Sequence, residues 1–189
     1  MLDVRVNFDQ AKAMYPFARL FLQLLRLRSA PRIQLTDTHV SYLRCLPWDL
    51  DGFLELNNGR ILTLYDLGRF GIGMRIGLMA ALRRNRWGLA VAGTSVRYRK
   101  RITAFQRIEM RSRCVGWDDR FIYLVQSMWV DGACCSNALM RTAVVAKGRS
   151  VPTADVVAAL GHVGPSPTLP DWVQAWIEAE GQRPWPPVD

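Results

Sequence analysis

The chain has 189 residues, half of them hydrophobic and 22% charged, which is enough apolar content for a packed core and too much for a disordered or collagen-like chain. Lys and Arg number 25 against 16 Asp and Glu, a formal charge of +9 that calls for an anionic partner. The length suits one domain with appendages.

Residues 8 to 28 place Phe17, Leu20, Phe21, Leu24 and Leu25 at helical spacing, with Arg19, Arg26 and Arg28 completing a basic amphipathic helix. Such a helix packs on its own domain or a partner subunit, or it lies on an anionic membrane face. Residues 33 to 46 are rich in β-branched and aromatic side chains and predict a first strand, followed by a loop over 47 to 55. From 58 to about 84 the apolar positions favour helix, and Gly68, Gly71, Gly73 and Gly77 predict two consecutive helices with a break near 70 to 73.

The period then changes from 3.6 to 2. Residues 107 to 114 alternate, with Ile108, Met110, Ser112 and Cys114 on one face and Arg107, Glu109, Arg111 and Arg113 on the other. Residues 87 to 99, 121 to 130 and 135 to 147 are also strand-like, and 116 to 120 and Asp131-Gly132 supply hairpin turns. Six of the ten prolines follow residue 164, around a short docked helix over 171 to 181 with Asp171 as its expected N-cap and Trp172, Val173, Trp176 and Ile177 as its apolar face. Strand, helix and four more strands make an α+β domain in which an antiparallel sheet encloses a long, kinked central helix. The expected division is an N-terminal amphipathic helix (1–30), the sheet domain (31–150) and a C-terminal helical tail (151–189).

The cysteines Cys45, Cys114, Cys134 and Cys135 form no C-x-x-C pair and the two histidines, His39 and His162, are far apart, so no metal site is expected. Nothing near residue 1 resembles a secretion signal, and reduced thiols in a cytoplasmic protein are the expectation. No stretch approaches the roughly 18 apolar residues of a membrane span; residues 14 to 27 contain Arg19, Gln23 and Arg26. His39, inside a strand, reads as a satisfied structural histidine.

The densest polar cluster is residues 49 to 60, where Asp49, Asp51 and Glu55 precede Asn57, Asn58, Gly59 and a helix start. A helix N-terminus presents free N–H groups and the positive end of a dipole, so the backbone there suits a carbonyl oxygen as it becomes negative. Asp51 or Glu55 beside it suits activation of water or direct attack. The same residue types also simply make turns and cap helices, and both readings stand.

This cluster, with the helix ILTLYDLGR that follows it, resembles the D-x-D-x-x-G-H-x-N-N-x-x-Y signature of the hot-dog-fold thioesterases, in their 4-hydroxybenzoyl-CoA thioesterase branch. The WDD at 117 to 119 and RYRKRITAFQR at 97 to 107 are similar to that branch as well, and the resemblance covers roughly residues 33 to 148. It implies that Asp51, the second motif aspartate after Asp49, is the base or nucleophile toward an acyl-CoA thioester, and that Asn57 and Asn58 are the paired amides. Leu54, Glu55 and Ile61 stand where the signature has Gly, His and Tyr. Glu55 thus brings a further carboxylate that either takes over from Asp51 or repels its charge. Asp66 is a third candidate, because the same helix resembles the phenylacetate-pathway branch with its catalytic acid at that position; otherwise Asp66 pairs with Arg69 one turn on. A thiol leaves with a pKa near about 8.5, so hydrolysis here needs little help from a general acid.

Between residues 83 and 113 lie ten basic residues against the acid Glu109. Arg97, Arg99 and Arg101, at alternate positions of a strand, with Lys100 between them, suit the phosphates of coenzyme A or a solvated strand end. Trp87, Tyr98 and Phe105 interleave this run, yet no nucleic-acid motif appears and no nucleic-acid partner is expected. No Ser elbow, phosphate loop or dinucleotide motif occurs. The resemblance also implies a homodimer or dimer of dimers joined by edge strands, acyl tunnels at the subunit boundary, and no cofactor beyond the coenzyme A of the substrate. The competing reading is a non-catalytic acyl-thioester or lipid-binding protein of the same fold.

Overall fold

The structure, a computed structural model, describes residues 16–187. Helix α1 is Phe17–Leu27, and residues 8 to 15 of the expected amphipathic helix lie outside the described residues. Strand β1 is Thr38–Arg44, shorter than expected because the chain first turns at 34 to 37, where the Gln34 N–H donates to the Asp37 carboxylate at 2.8 Å. Helix α2 (Asn58–Arg75) and helix α3 (Leu78–Asn85) follow. Strands β2 (Gly88–Tyr98), β3 (Arg107–Trp117), β4 (Ile122–Val130), β5 (Ala133–Ala146) and the two-residue β6 (Arg149–Ser150) complete an antiparallel sheet with order β1-β3-β4-β5-β2, β6 pairing β5.

Three sequence expectations need correction. The helix break falls at residues 76 and 77 and not at 70 to 73, since Gly77 takes the left-handed φ of 83°. The earlier glycines serve close approach: a Cβ on Gly68 would sit 2.6 Å from Gln126 Nε2 and 2.8 Å from Ser112 Oγ, and one on Gly71 would strike His39 and Gln23. Second, β2 ends at Tyr98, so Arg97, Arg99 and Arg101 do not share a strand face; the Arg99 and Lys100 N–H groups both donate to the Cys135 carbonyl instead. Third, Asp171 is not an N-cap. It is the first residue of helix α5 (Asp171–Gln182), preceded by Pro170, and no side chain caps that end. Helix α4 (Thr153–Ala159) is additional to the expected elements, with Val156 and Val157 buried.

The sheet curls around α2. Ile108, Met110 and Cys114, the inward set read from the alternation, are completely buried and pack with Leu64, Tyr65 and Leu67 or with Ile72 of the helix. Alternate residues of β4 face the other way, where Tyr123 and Val125 meet Val173 and Trp176 of α5. The tail therefore covers the outer face of the sheet. At the β3–β4 turn Asp118 accepts from the Arg120 and Phe121 N–H groups and from the Tyr123 hydroxyl, and Trp117 N–H donates to Ser166 of the tail. The WDD segment is thus a turn and a tail anchor. Asp131 and Gly132, with φ of 48° and 77°, make the next hairpin turn, the conformation for which Asp-Gly is suited. Burial pushes the Cys45 and Cys114 thiols up to about 11, and all four cysteines are free.

Candidate active site

The polar cluster folds into a short, tightly bonded loop between β1 and α2. Asp49 is buried and ion-paired to Arg19 of α1 at 2.7 Å and to Arg60 of α2 at 3.2 Å, and it accepts the Leu46 N–H. This acid holds the two helices and the loop together. Asp51, half-buried, turns its Oδ1 onto the Phe53 N–H at 2.8 Å, while Asp51 N–H donates to the Glu55 carbonyl and Leu50 bridges Leu56. Phe53 and Leu54 form the exposed tip, and Leu54 has a φ of 58°. That left-handed conformation favours glycine, the residue the resembled signature carries at this place.

Asn57 caps α2, its Oδ1 accepting from the Gly59 N–H at 2.9 Å and the Arg60 N–H at 3.2 Å. The Gly59 N–H expected to face an oxyanion is therefore already engaged. The Asn58 N–H makes no hydrogen bond among the described residues and is the donor left at the positive end of the helix.

A cavity of about 230 Å³ opens beside it, lined by Glu55, Asn58, Arg99, Lys100, Arg101 and Ser136 over apolar Leu56, Ile61 and Ile102. The structure so brings together one candidate acid, the helix N-terminus and three of the four candidate basic residues. Glu55 pairs with Arg101 at 2.8 Å, but Arg101 is 78% exposed, so solvent screens the pair and it opens at little cost. Ser136, which the sequence did not single out, reaches the cavity from β5 and bonds the buried Tyr65 hydroxyl at 2.8 Å. Burial pushes that Tyr65 hydroxyl well above its ordinary range. Only the β4–β5–β2 register brings residue 136 opposite Tyr98, so no local pattern could have marked it.

The other candidates lie apart. Asn57 and Gly59 line a neighbouring cavity with Asp49 and Arg60, and Arg97 lines a third with Trp172 and Trp176. Asp51 and Asp66 line none of these three. Asp66 pairs with Arg69 within its own helix. His39 is buried but is not the satisfied histidine expected from its place in a strand: neither ring nitrogen has a hydrogen-bond partner among the described residues. Burial and the nearby Arg75 push its pKa down to about 4. Among the described residues no group of His, Cys, Asp and Glu could hold a metal ion, and no helix is long and apolar enough to cross a membrane.

The family described as the Thioesterase-like superfamily matches residues 45–177. Protein THEM6 of Drosophila melanogaster is 29% identical over 150 residues, 77% of this chain and 75% of that protein. Protein THEM6 of Danio rerio is 39% identical over 119 residues, 63% of this chain; the chain spans only 59% of that relative's length. Among solved structures, the BH1999 gentisyl-coenzyme A thioesterase superposes with a TM-score of 0.58 at 12% identity, covering 64% of this chain and 99% of that one. At that identity the likeness shows the hot-dog fold.

Proposed function

The chain belongs to the Thioesterase-like superfamily, and from that premise we propose that it hydrolyses an acyl-CoA thioester to the free acid and coenzyme A in the cavity at the start of α2. The observation that carries this reading is the meeting of the Glu55 carboxylate, the unengaged Asn58 N–H and the basic residues 99 to 101 in one place. Glu55 takes a proton from water as the water oxygen bonds to the thioester carbon. The carbonyl oxygen gains the negative charge and is met by the Asn58 N–H and the helix dipole. The C–S bond then breaks, and the thiolate, a good leaving group, recovers the proton through Glu55. Arg99, Lys100 and Arg101 offer charge-assisted donors to the coenzyme A phosphates. Asp51, bonded to the loop backbone, is a positioning residue in this scheme, and Asp66 has no part in it.

Thiol release from short, long and aromatic acyl-CoAs tests the assignment. Glu55→Gln is expected to lower kcat by about a hundredfold or more, the usual worth of a positioned base. Asp51→Asn is expected to raise KM and lower kcat together, with Asp51→Glu failing to restore the loop. A hundredfold kcat loss in Asp51→Asn with full activity in Glu55→Gln would move the base to Asp51.

The alternative is an acyl-thioester or lipid-binding protein without hydrolysis, which the Glu55–Arg101 pair and the lack of histidine in the cavity lining favour. Acyl-CoA binding with no thiol release would establish it. We also propose a homodimer paired along β2, an outer strand exposed along nearly its whole length with Leu89, Val91 and Tyr98 on view. The exposed Phe21 and Leu25 of α1, flanked by Arg26 and Arg28, suit peripheral contact with an anionic membrane. Four free thiols agree with a cytoplasmic setting.

A further inference from the structure

A second cavity, of about 330 Å³, lies between α1 and β1 and shares no residue with the Glu55 cavity. Its volume falls in the range of about 300–1,000 Å³ typical of small-molecule sites. Two polar side chains in its wall carry buried atoms without a hydrogen-bond partner among the described residues. Both ring nitrogens of His39, a residue 1% exposed, and the buried Nη1 of Arg19 have no hydrogen-bond partner among the described residues. Buried polar groups in folded proteins are nearly always paired, so two orphans lining one cavity mark a place where a ligand supplies the partner.

The chemistry of that ligand follows from the donors. Arg19 Nη1 can only donate, a neutral imidazole offers one N–H, and Gln23 Nε2 has a second hydrogen beyond the one it gives to the Leu67 carbonyl at 2.9 Å. Arg26 and Arg44 also line the cavity, and among the described residues no acid does. The head of the ligand is therefore an acceptor and an anion. Beyond Ser41 and Tyr42 the rest of the wall is apolar, with Leu22, Leu27, Leu43 and Leu46 among its residues, which suits a hydrocarbon chain. Gly71 gives the His39 ring its place, since any Cβ there would strike it.

We propose that the α1–β1 cavity binds an anionic amphiphile, with the head on His39, Arg19 and Gln23 and one hydrocarbon chain along the leucines. A free fatty carboxylate and an anionic lipid headgroup share this chemistry. The site does not depend on hydrolysis at Glu55, and its test reads no turnover.

His39 and His162 are the two histidines of the chain, so the ring nitrogens of ¹⁵N-labelled protein give two separable sets of NMR signals. Laurate, added as monomer, is expected to shift the His39 signals and leave those of His162 in place; dodecanol, of equal length and uncharged, is expected to shift neither. Phosphatidylglycerol vesicles form the other arm: a His39 shift with vesicles and none with laurate assigns the headgroup as the source, and the reverse assigns the free acid. By calorimetry, Leu27→Trp, which fills the cavity from the end of α1, is expected to weaken binding at least tenfold. His39→Leu is expected to do the same, and if that variant does not fold, Leu27→Trp decides. Unmoved His39 signals with both probes, an equal response to dodecanol, or undiminished binding in Leu27→Trp would each overturn the proposal.

Discussion

The two outer strands of the sheet are finished in opposite ways. Strand β1 has α1 laid beside it, an ion-paired Asp49 tying that helix to the body, and a buried histidine in the wall of the space between them. Strand β2 has no such cover: its residues are exposed at nearly every position, and Leu89 and Val91 stand in the open. An uncovered strand edge offers unpaired backbone groups and is a place for association, whereas the helix beside β1 leaves an open cavity between the two. Both ends carry positive charge: Arg19, Arg26 and Arg44 line the α1–β1 cavity, and residues 99 to 101 continue from β2 into the Glu55 cavity.

Removing the cover should produce the largest effect. Asp49→Ala leaves Arg19 and Arg60 without their shared carboxylate, and urea unfolding is expected to show a loss of about 3 kcal/mol, the lower end for breaking a buried pair whose partners retain some exposure. A loss below ~1 kcal/mol would mean that α1 is held by its apolar contacts alone.

Next is the buried histidine. His39 has its pKa pushed from 6.5 to about 4 in the folded chain, so the unfolded chain binds more protons between those values. The stability it supports is whole above pH 6.5 and is lost as pH falls toward 4, by roughly 2 to 3 kcal/mol. Unfolding free energies measured across that window should slope in the natural chain and flatten by this amount in His39→Leu. An identical slope in both would place the titration elsewhere.

On the open edge, Leu89→Lys adds a charge of the kind that blocks strand pairing. Self-association measured by sedimentation is expected to weaken at least tenfold, about 1.4 kcal/mol, with monomer stability changed by less than about 0.5 kcal/mol. Undiminished dimerisation would move the interface off β2. The smallest effect belongs to the loop leading out of β1. Leu54→Gly relieves a left-handed backbone worth roughly 1–2 kcal/mol and adds about 0.4–1 kcal/mol of unfolded-chain entropy, for a net gain near ~0.5 kcal/mol in thermal unfolding.

Local periodicity reached far in this chain. The alternation of 107 to 114 named the buried residues of β3 correctly because one face of a strand meets the core and the other does not. The glycines of α2 were harder: Gly68 and Gly71 read as helix breakers, yet the helix runs through them, because the sheet side chains Gln126 and His39 come so close that a Cβ would not fit. Spacing alone cannot separate a glycine that ends a helix from one that lets a neighbour approach. The candidate acids divide for a similar reason. Asp49, Asp51 and Glu55 are equivalent on paper, and their roles differ because the loop turns Asp49 inward to two arginines, Asp51 onto its own backbone and Glu55 into the cavity.

By itself the sequence determined the succession of strand, helical stretch and four strands, the α+β class, the family motif and the identity of the polar loop, all of which depend on short-range spacing and side-chain type; it did not show helix α4 or strand β6. The tertiary structure decided which acid meets the helix N-terminus, which arginines accompany it, where Ser136 comes in and why His39 lines a cavity without a partner. Those depend on strand register and on the docking of α1, contacts between residues far apart in the chain that no local pattern encodes.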